Sequence, residues 1–225
     1  MLRVGLTGGL GSGKSTAGRL FRSHGAHVLE ADGIGRELME PGQDVYAAIV
    51  DHFGLGVVLP GGELDRKALA RIAFDAGRVE ELNAIVHPAV IARQAELAGT
   101  IFSQEAGAVV MVESALIFET KYGEPKHGGD EKGERWLRRF DRVILVTAPD
   151  EVKIARFVAR TAGKRALTDR EKAELEAEAR RRLNQQIPDE QKAALCDYVL
   201  ANGGALTELE WQVDQLWPIL KAAAV

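Results

Sequence analysis

Cysteine is almost absent from this chain of 225 residues. Cys196 stands alone, which excludes an internal disulfide framework and fits a reducing compartment. Its neighbours, Ala193-Ala194-Leu195, suggest packing rather than chemistry. No apolar run approaches the roughly 20 residues of a membrane span, and the chain enters its first apolar segment with no signal-peptide pattern ahead of it. The expectation is a cytoplasmic protein with no membrane partner. A large excess of one charge sign is missing too. Against 33 Asp and Glu there are 29 Lys and Arg, a net −4, so nucleic acid is not an expected partner and any phosphate affinity must be local. The sequence offers no internal repeat, no Cys/His metal cluster and no Ser-His-Asp spacing. What it does contain is 46% apolar residues, enough for one large domain or one core with appendages.

One segment carries most of the information. Gly8-Gly9-Leu10-Gly11-Ser12-Gly13-Lys14-Ser15 satisfies the phosphate-loop pattern G-x-x-x-x-G-K-[ST] at every fixed position. The apolar run Leu2–Thr7 precedes it and a helix-like stretch from Ser15 to His24 follows, the strand–loop–helix setting the motif requires. Glycines at 8, 9, 11 and 13 allow the backbone to curl tightly, so that successive N–H groups form an anion nest at the positive end of a helix. Lys14 is positioned to reach the β- and γ-phosphates of a nucleotide, and the Ser15 hydroxyl to ligate magnesium.

Four further segments read as strands: Val28-Leu29, Ala108–Val112, Val143–Val146 and Tyr198–Leu200. The two longer runs are continuously apolar, as in strands covered on both faces. Helical patterns separate them, some with end signals. Val45, Ile49 and Phe53 stop at Gly54. Asp65 is a candidate N-cap, Pro88 suits the first turn of a helix running towards Phe102, and Thr168-x-x-Glu171 and Thr207-x-x-Glu210 read as capping boxes. The expected fold is therefore three-layer α/β with a five-stranded parallel sheet, its ligand at the carboxyl ends of the strands. Two inserts interrupt it. Nearly eighty residues, mostly helical, separate the second and third strands. After the fourth strand, residues 156–182 hold nine Lys or Arg against five acids. That basic run is either a solvated helix with charge pairs at i,i+4 spacing or a set of arginines closing over a triphosphate. Lys121–Glu134 reads as a mobile loop, and Trp136, Trp211 and Trp217 as packing residues.

A phosphate loop does not specify an acceptor. Glu30-Ala31-Asp32 adds two carboxylates two residues apart at a strand end, where alternation aims both the same way. Asp32 there is either the base that accepts a proton from an attacking hydroxyl or an acid capping the next helix.

With these residues in view, the chain resembles the dephospho-coenzyme A kinase family over nearly its whole length. The resemblance rests on an ordered series. It runs from Leu6 to Thr16, then Glu30-Ala31-Asp32, Arg36, Glu40-Pro41-Gly42, Asp51-His52-Phe53-Gly54, Leu64-Asp65-Arg66, and Leu82-Asn83 with His87-Pro88. Glu113-Ser114-Ala115-Leu116-Ile117-Phe118-Glu119 follows, then Arg182 with Gln186, and Asn202-Gly203. Glu30 stands where the family usually has Asp, and Ala115 where it has Pro. The resemblance implies transfer of the γ-phosphoryl group of ATP to the ribose 3′-hydroxyl of dephospho-coenzyme A, with magnesium as cofactor. It also implies a nucleotide core over 1–32, 105–155 and 187–225, a helical substrate domain over 33–104 and a lid over 156–186. Asp32 matches the general base, with Lys14, Arg156 and Arg160 completing the catalytic set. The ATP set is Gly8, Gly9, Gly11, Ser12, Gly13, Lys14, Ser15 and Thr16 with Arg182, Asn202 and Gly203. On the acceptor side stand Glu30, Asp32, Arg36, Arg66 and His87, although a histidine before proline also suits a packed structural role. Ser15 and Glu113 are the metal candidates. Two rivals stay open: a kinase of the same architecture for a nucleoside or other hydroxylated acceptor, and a non-enzymatic ATP-binding switch.

Overall fold

Each apolar run expected to be a strand is one in the computed structural model, which describes residues 1–75, 77–119 and 139–224. The strands are β1 (Leu2–Thr7), β2 (His27–Glu30), β3 (Val109–Glu113), β4 (Arg142–Thr147) and β5 (Tyr198–Ala201). They form a five-stranded parallel sheet in the order β2-β3-β1-β4-β5. Register sets Leu2 opposite Val109 and Leu6 opposite Glu113. On the other side of β1, Thr7 lies opposite Leu145. Residues 109–112 and 143–146 are buried along their whole length, as strands covered on both faces must be. The described residues divide into two compact units. One takes Met1–Val28, Ile101–Glu119 and the chain from 139 onwards; the other takes Leu29–Thr100.

In the first unit, α1 (Lys14–Ser23) and α9 (Leu206–Ala223) cover one face of the sheet. Phe21, Leu209 and Val213 meet Leu6, Met111 and Ile144 there. A second cluster joins α6 (Asp150–Ala162) to α7 (Asp169–Asn184) through Ile154, Phe157, Val158 and Ala179. The short α8 (Asp189–Ala193) follows. Its Lys192 is fully buried, with Nζ 2.7 Å from Glu119 Oε1. The second unit is helical: α2 (Ala31–Leu38), α3 (Asp44–Phe53), a 3₁₀ turn Leu55–Val57, α4 (Arg66–Ala70), a π turn Arg71–Asp75 and the long α5 (Val79–Gln104). Val45, Ile49, Val57, Leu64 and Leu69 form its core.

Three of the expected end signals hold. α3 stops at Gly54, whose φ of 80° suits glycine. The Asp65 carboxylate accepts the N–H groups of Lys67 and Ala68, and Thr168 with Glu171 forms a complete capping box. Others fall elsewhere. Pro88 does not open a helix but lies inside α5, at a cost of about 3 kcal/mol. The acids Glu80 and Glu81 start that helix earlier, and Leu82, Ile85, Val86 and Ala89 pack against the unit's core to offset the proline. Thr207 caps nothing, because α9 begins at Leu206 with Ala205 as N-cap. It is Glu208, not Glu210, that folds back, against Gly204. Trp211 is no packing residue. It is 63% exposed, off the stripe of Leu209, Val213, Leu216 and Leu220 that α9 buries. Trp217 does pack against the core and stacks on His24 at 5.9 Å. Lys121–Glu134 and Trp136 lie outside the described residues.

The second unit carries an acid-sensitive cluster. Glu81 accepts hydrogen bonds from Arg78 Nε at Oε1 and from Nη2 at Oε2, at 2.9 and 2.6 Å, and His52 Nε2 stands 2.6 Å from the same Oε2. Arg78 also lies over the Phe53 ring at 4.7 Å. The Arg78 bonds first, then His52, hold the Glu81 carboxyl at about 2 against an ordinary 4.5. A depressed carboxyl pKa means the unfolded chain takes up the proton first. The cluster's stabilisation is therefore present above pH 4.5 and lost as pH falls towards 2. Thermal midpoints measured across that range should show wild type above Glu81→Gln near neutrality, with the gap closing on acidification.

Candidate active site

The residues after β1 leave the sheet's carboxyl edge as a tight loop. Gly11 and Gly13 adopt φ of 74° and 95°, which a side chain rarely tolerates. Space forbids one as well: a Cβ on Gly11 would overlap the Lys153 carbonyl, and one on Gly13 the Asn202 amide nitrogen. The Ser12 N–H donates to the Gly9 carbonyl at 3.2 Å, while Thr16 and Ala17 donate to Gly13 at 2.9 and 3.1 Å. α1 begins at Lys14 without a side-chain cap, so its positive end faces the loop's concavity. Lys14 Nζ donates to the Gly9 carbonyl at 3.4 Å. The hydroxyls of Thr7 and Ser12 are buried with no hydrogen-bond partner among the described residues. Gly8, Gly9, Gly11, Ser12, Gly13, Lys14, Ser15 and Thr16 thus form one continuous cradle suited to a phosphate chain.

At the rim of the cradle the Ser15 hydroxyl donates to Glu113 Oε1 at 2.6 Å. Glu113 ends β3, and its other oxygen rests over Gly18 of α1, 3.3 Å from where a Cβ would stand. One hydroxyl and one carboxylate in contact fit an ion that keeps several waters and takes its other ligands from phosphates. No cluster of three or more His, Cys, Asp or Glu suited to a metal occurs among the described residues.

Asn202 locks the loop from the far side. Its amide Nδ2 donates to the buried Ser12 carbonyl at 2.7 Å, and its backbone N–H donates to Thr147 at 2.7 Å. Arg156 Nη1 donates in turn to the Asn202 carbonyl at 2.8 Å. Gly203 fits beneath Pro149, whose Cδ lies 2.8 Å from the position a Cβ would take. Arg160 and Arg182 both lie over the Phe157 ring, at 5.9 and 5.5 Å. Glu178 accepts from Arg182 Nε at 2.6 Å, and its carboxyl is held below the ordinary range chiefly by that bond. Other basic residues of the segment are paired locally: Arg165 with Glu171, Arg170 with Glu174, Arg180 with Glu176 and Arg181 with Glu178. Much of the local positive excess is thus a solvated helix face.

Sequence reasoning passed over two loop contacts and the ion pair behind one of them. The Leu10 N–H donates to Gln186 Oε1 at 3.2 Å. Lys153 backs Gly11, and its Nζ pairs with Asp189 Oδ2 at 2.6 Å. Burial pulls the Lys153 ammonium down, but the bonds to Asp189 and Asp150 outweigh it and hold the pKa above normal. Gln186 stood within the motif series and was findable; a lysine on an amphipathic helix carries no such signal.

The second unit holds the remaining candidates. β2 ends at Glu30, which is the N-cap of α2, and Asp32 sits in that helix's first turn. Glu30 and Asp32 are therefore not alternate residues of one strand, as their spacing suggested. Asp32 and Arg36 instead share a helix face at i,i+4, with Arg36 Nη2 4.0 Å from the position of a Cβ on Gly33. All three side chains are exposed. Arg66 opens α4 directly after its Asp65 cap and lines a cavity of about 590 Å³ with Met39, Glu40, Leu64 and Leu82. His87 is half-buried midway along α5. Cys196, outside the site, has its thiol pushed up to about 12 by burial, with Asp197 adding to the shift, which suits the packing role expected of it.

A parallel sheet whose first strand ends in a phosphate cradle, with Ser15 touching an acid on the neighbouring strand, defines a P-loop nucleotide-binding protein. The class narrows by comparison. The dephospho-CoA kinase family matches over residues 2–208, and this chain belongs to it. A dephospho-CoA kinase from Thermobifida fusca is 36% identical over 222 residues, 98% of this chain and 97% of that protein. A solved structure from Thermus thermophilus superposes with a TM-score of 0.69 at 30% identity, covering 97% of each chain. A dephospho-CoA kinase from Campylobacter jejuni shares the fold, with a TM-score of 0.64 at 21% identity over 99% of this chain and 98% of that one.

The Asn202 tie generates a prediction. Asn202→Ala strands the buried Ser12 carbonyl and should cost about 1–3 kcal/mol of stability, together with a raised KM for ATP. Denaturant titration and steady-state kinetics check the two effects.

Proposed function

We propose that this protein transfers the γ-phosphoryl group of ATP to the ribose 3′-hydroxyl of dephospho-CoA, giving CoA and ADP. The observation that carries the reading is the Ser15–Glu113 contact at the mouth of a complete phosphate loop, in a chain of this family. The loop amides and Lys14 hold the β- and γ-phosphates, where positioning and charge neutralisation supply most of the acceleration. Ser15 and Glu113 would hold a magnesium ion, which when bound with ATP neutralises charge between those phosphates. Arg156, Arg160 and Arg182 belong to a helical lid over 156–186, and Asn202 and Gly203 flank the nucleotide. Asp32 accepts the proton of the attacking hydroxyl; a carboxylate is a weak base, adequate where bond-making lags bond-breaking. Its place in the first turn of α2 also supports the capping alternative, and mutation separates the two. Arg36, one turn along from Asp32, is suited to the acceptor's phosphates, with Glu30 beside them and His87 on the wall of the same helical domain. The cavity that Arg66 lines receives part of the acceptor. The single cysteine supports a reducing, cytoplasmic setting, and no described helix is long and apolar enough to cross a membrane.

A coupled ADP-release assay tests the whole reading. Dephospho-CoA should be preferred over every nucleoside offered; preference for a nucleoside, or ADP release independent of any acceptor, overturns it. Asp32→Asn should lower kcat roughly 10²–10⁴-fold with ATP affinity retained, whereas a helix-capping role would leave turnover near normal and lower the melting midpoint. Arg66→Ala should raise KM for dephospho-CoA and leave KM for ATP unchanged.

A further inference from the structure

We infer that Leu10 couples occupancy of the phosphate loop to the order of α6 and α7, and is a positioning residue for the donor nucleotide. Leu10 fills one of the unspecified positions of the loop motif, so the chemistry of phosphate binding does not require it. Its side chain leaves the loop and packs into the cluster of Ile154, Phe157, Val158 and Ala179, beside Leu175 and Leu183. That cluster is the hydrophobic seam between α6 and α7. Its Phe157 ring is also the surface over which Arg160 and Arg182 lie.

The backbone on either side of Leu10 is tied to both ends of the same helical pair. Its N–H donates to Gln186, just past the end of α7. The next residue, Gly11, rests on the backbone of Lys153 near the start of α6. Lys153, 4% exposed, closes the ring through Asp189 at 2.6 Å, and Asp189 is held by the Thr147 hydroxyl at 2.5 Å. The loop apex is therefore part of the packing of the helices that bear the arginines. Packed interiors transmit small displacements rather than absorbing them, so a loop drawn around phosphates carries Leu10, and with it the seam. Linkage makes the effect reciprocal: a seam ordered around Leu10 raises the affinity of the loop for nucleotide.

The inference rests on the reading that this loop holds ATP, and one experiment separates the two. Amide hydrogen exchange across residues 169–184 is followed with and without magnesium and a β,γ-imido ATP analogue, in wild type, Leu10→Ala, Leu10→Met and Gln186→Ala, alongside steady-state kinetics. In wild type the analogue should slow exchange in α7. Leu10→Ala should lose most of that slowing and raise KM for ATP roughly fivefold or more, a larger factor than the fall in kcat. Leu10→Met, which refills the seam, should restore both, and Gln186→Ala should show a smaller loss in the same direction. A merely structural leucine would lower the melting midpoint yet leave nucleotide-induced slowing and KM intact; that result overturns the inference and leaves the kinase reading standing. Wild-type turnover of ATP with no slowing of exchange overturns the inference alone, and neither turnover nor slowing overturns both. Should Leu10→Ala fail to fold, Gln186→Ala decides, and full retention of slowing in that variant overturns the inference.

Discussion

The hydrogen bond from the Asn202 side chain to the Ser12 carbonyl holds the donor site in shape. A loop that turns its N–H groups inward to meet an anion must turn carbonyls outward, and in a buried setting each outward carbonyl needs a donor. Asn202 supplies one at 2.7 Å from the loop after β5. Arg156 then satisfies the carbonyl of Asn202 itself. The same approach explains the absence of a side chain at Gly13, where a Cβ would collide with the amide that makes the bond. Glycine at this position therefore answers two demands, a left-handed φ and a close neighbour. The order of the strands makes the arrangement possible. β1 is central, so the loop leaving it is reached by Glu113 from β3 on one side and, across β4, by Asn202 following β5 on the other.

Most arginines of the basic segment after β4 are engaged within the protein. Arg165, Arg170, Arg180 and Arg181 are matched by acids close by in the chain, and exposed pairs of that kind contribute little to stability. Arg156 is committed to Asn202. Arg160 and Arg182 share an aromatic surface, which keeps two like charges close at modest cost because a ring face attracts each of them. A local charge count thus overstates the free positive charge of the segment, since Arg182 is paired with Glu178 as well.

How much was legible depended on where the determining interaction lies. The five strands, the phosphate loop, the Gly54 stop and the Asp65 and Thr168 caps are set by residues within a few positions of one another, and they read directly from the chain. Pro88 misled because a proline suits a first turn locally, while the packing of Leu82, Ile85 and Val86 that carries α5 through it is tertiary. The capping signal at Thr207 failed by register: the acid that folds back is Glu208, and Gly204 provides the room for it. Trp211 illustrates the opposite error, in which a large aromatic residue is assumed to be buried although the helix's apolar stripe passes it by. Lys153 and Asp189 could not be found at all, since a buried ion pair joins residues whose partnership exists only after folding.

Binding a phosphoryl donor and activating an acceptor differ in how strongly their chemistry constrains sequence. Holding a triphosphate demands backbone amides in a fixed curve, and that curve forces glycines into a recognisable spacing. Accepting a proton demands only a carboxylate at the right place, and a carboxylate in the first turn of a helix is commonplace. Asp32 is a first-turn carboxylate of that commonplace kind, and its own pattern does not mark it out. Selectivity for the acceptor therefore has to come from elements that bind without reacting, as remote binding does in enzymes generally. Arg36, one turn along α2 from Asp32, and the cavity lined by Arg66 both lie in the helical unit. The family's long motif series is best understood in that light. The phosphate loop marks the protein as a nucleotide binder, and the match along residues 2–208 marks it as a member of the dephospho-CoA kinase family.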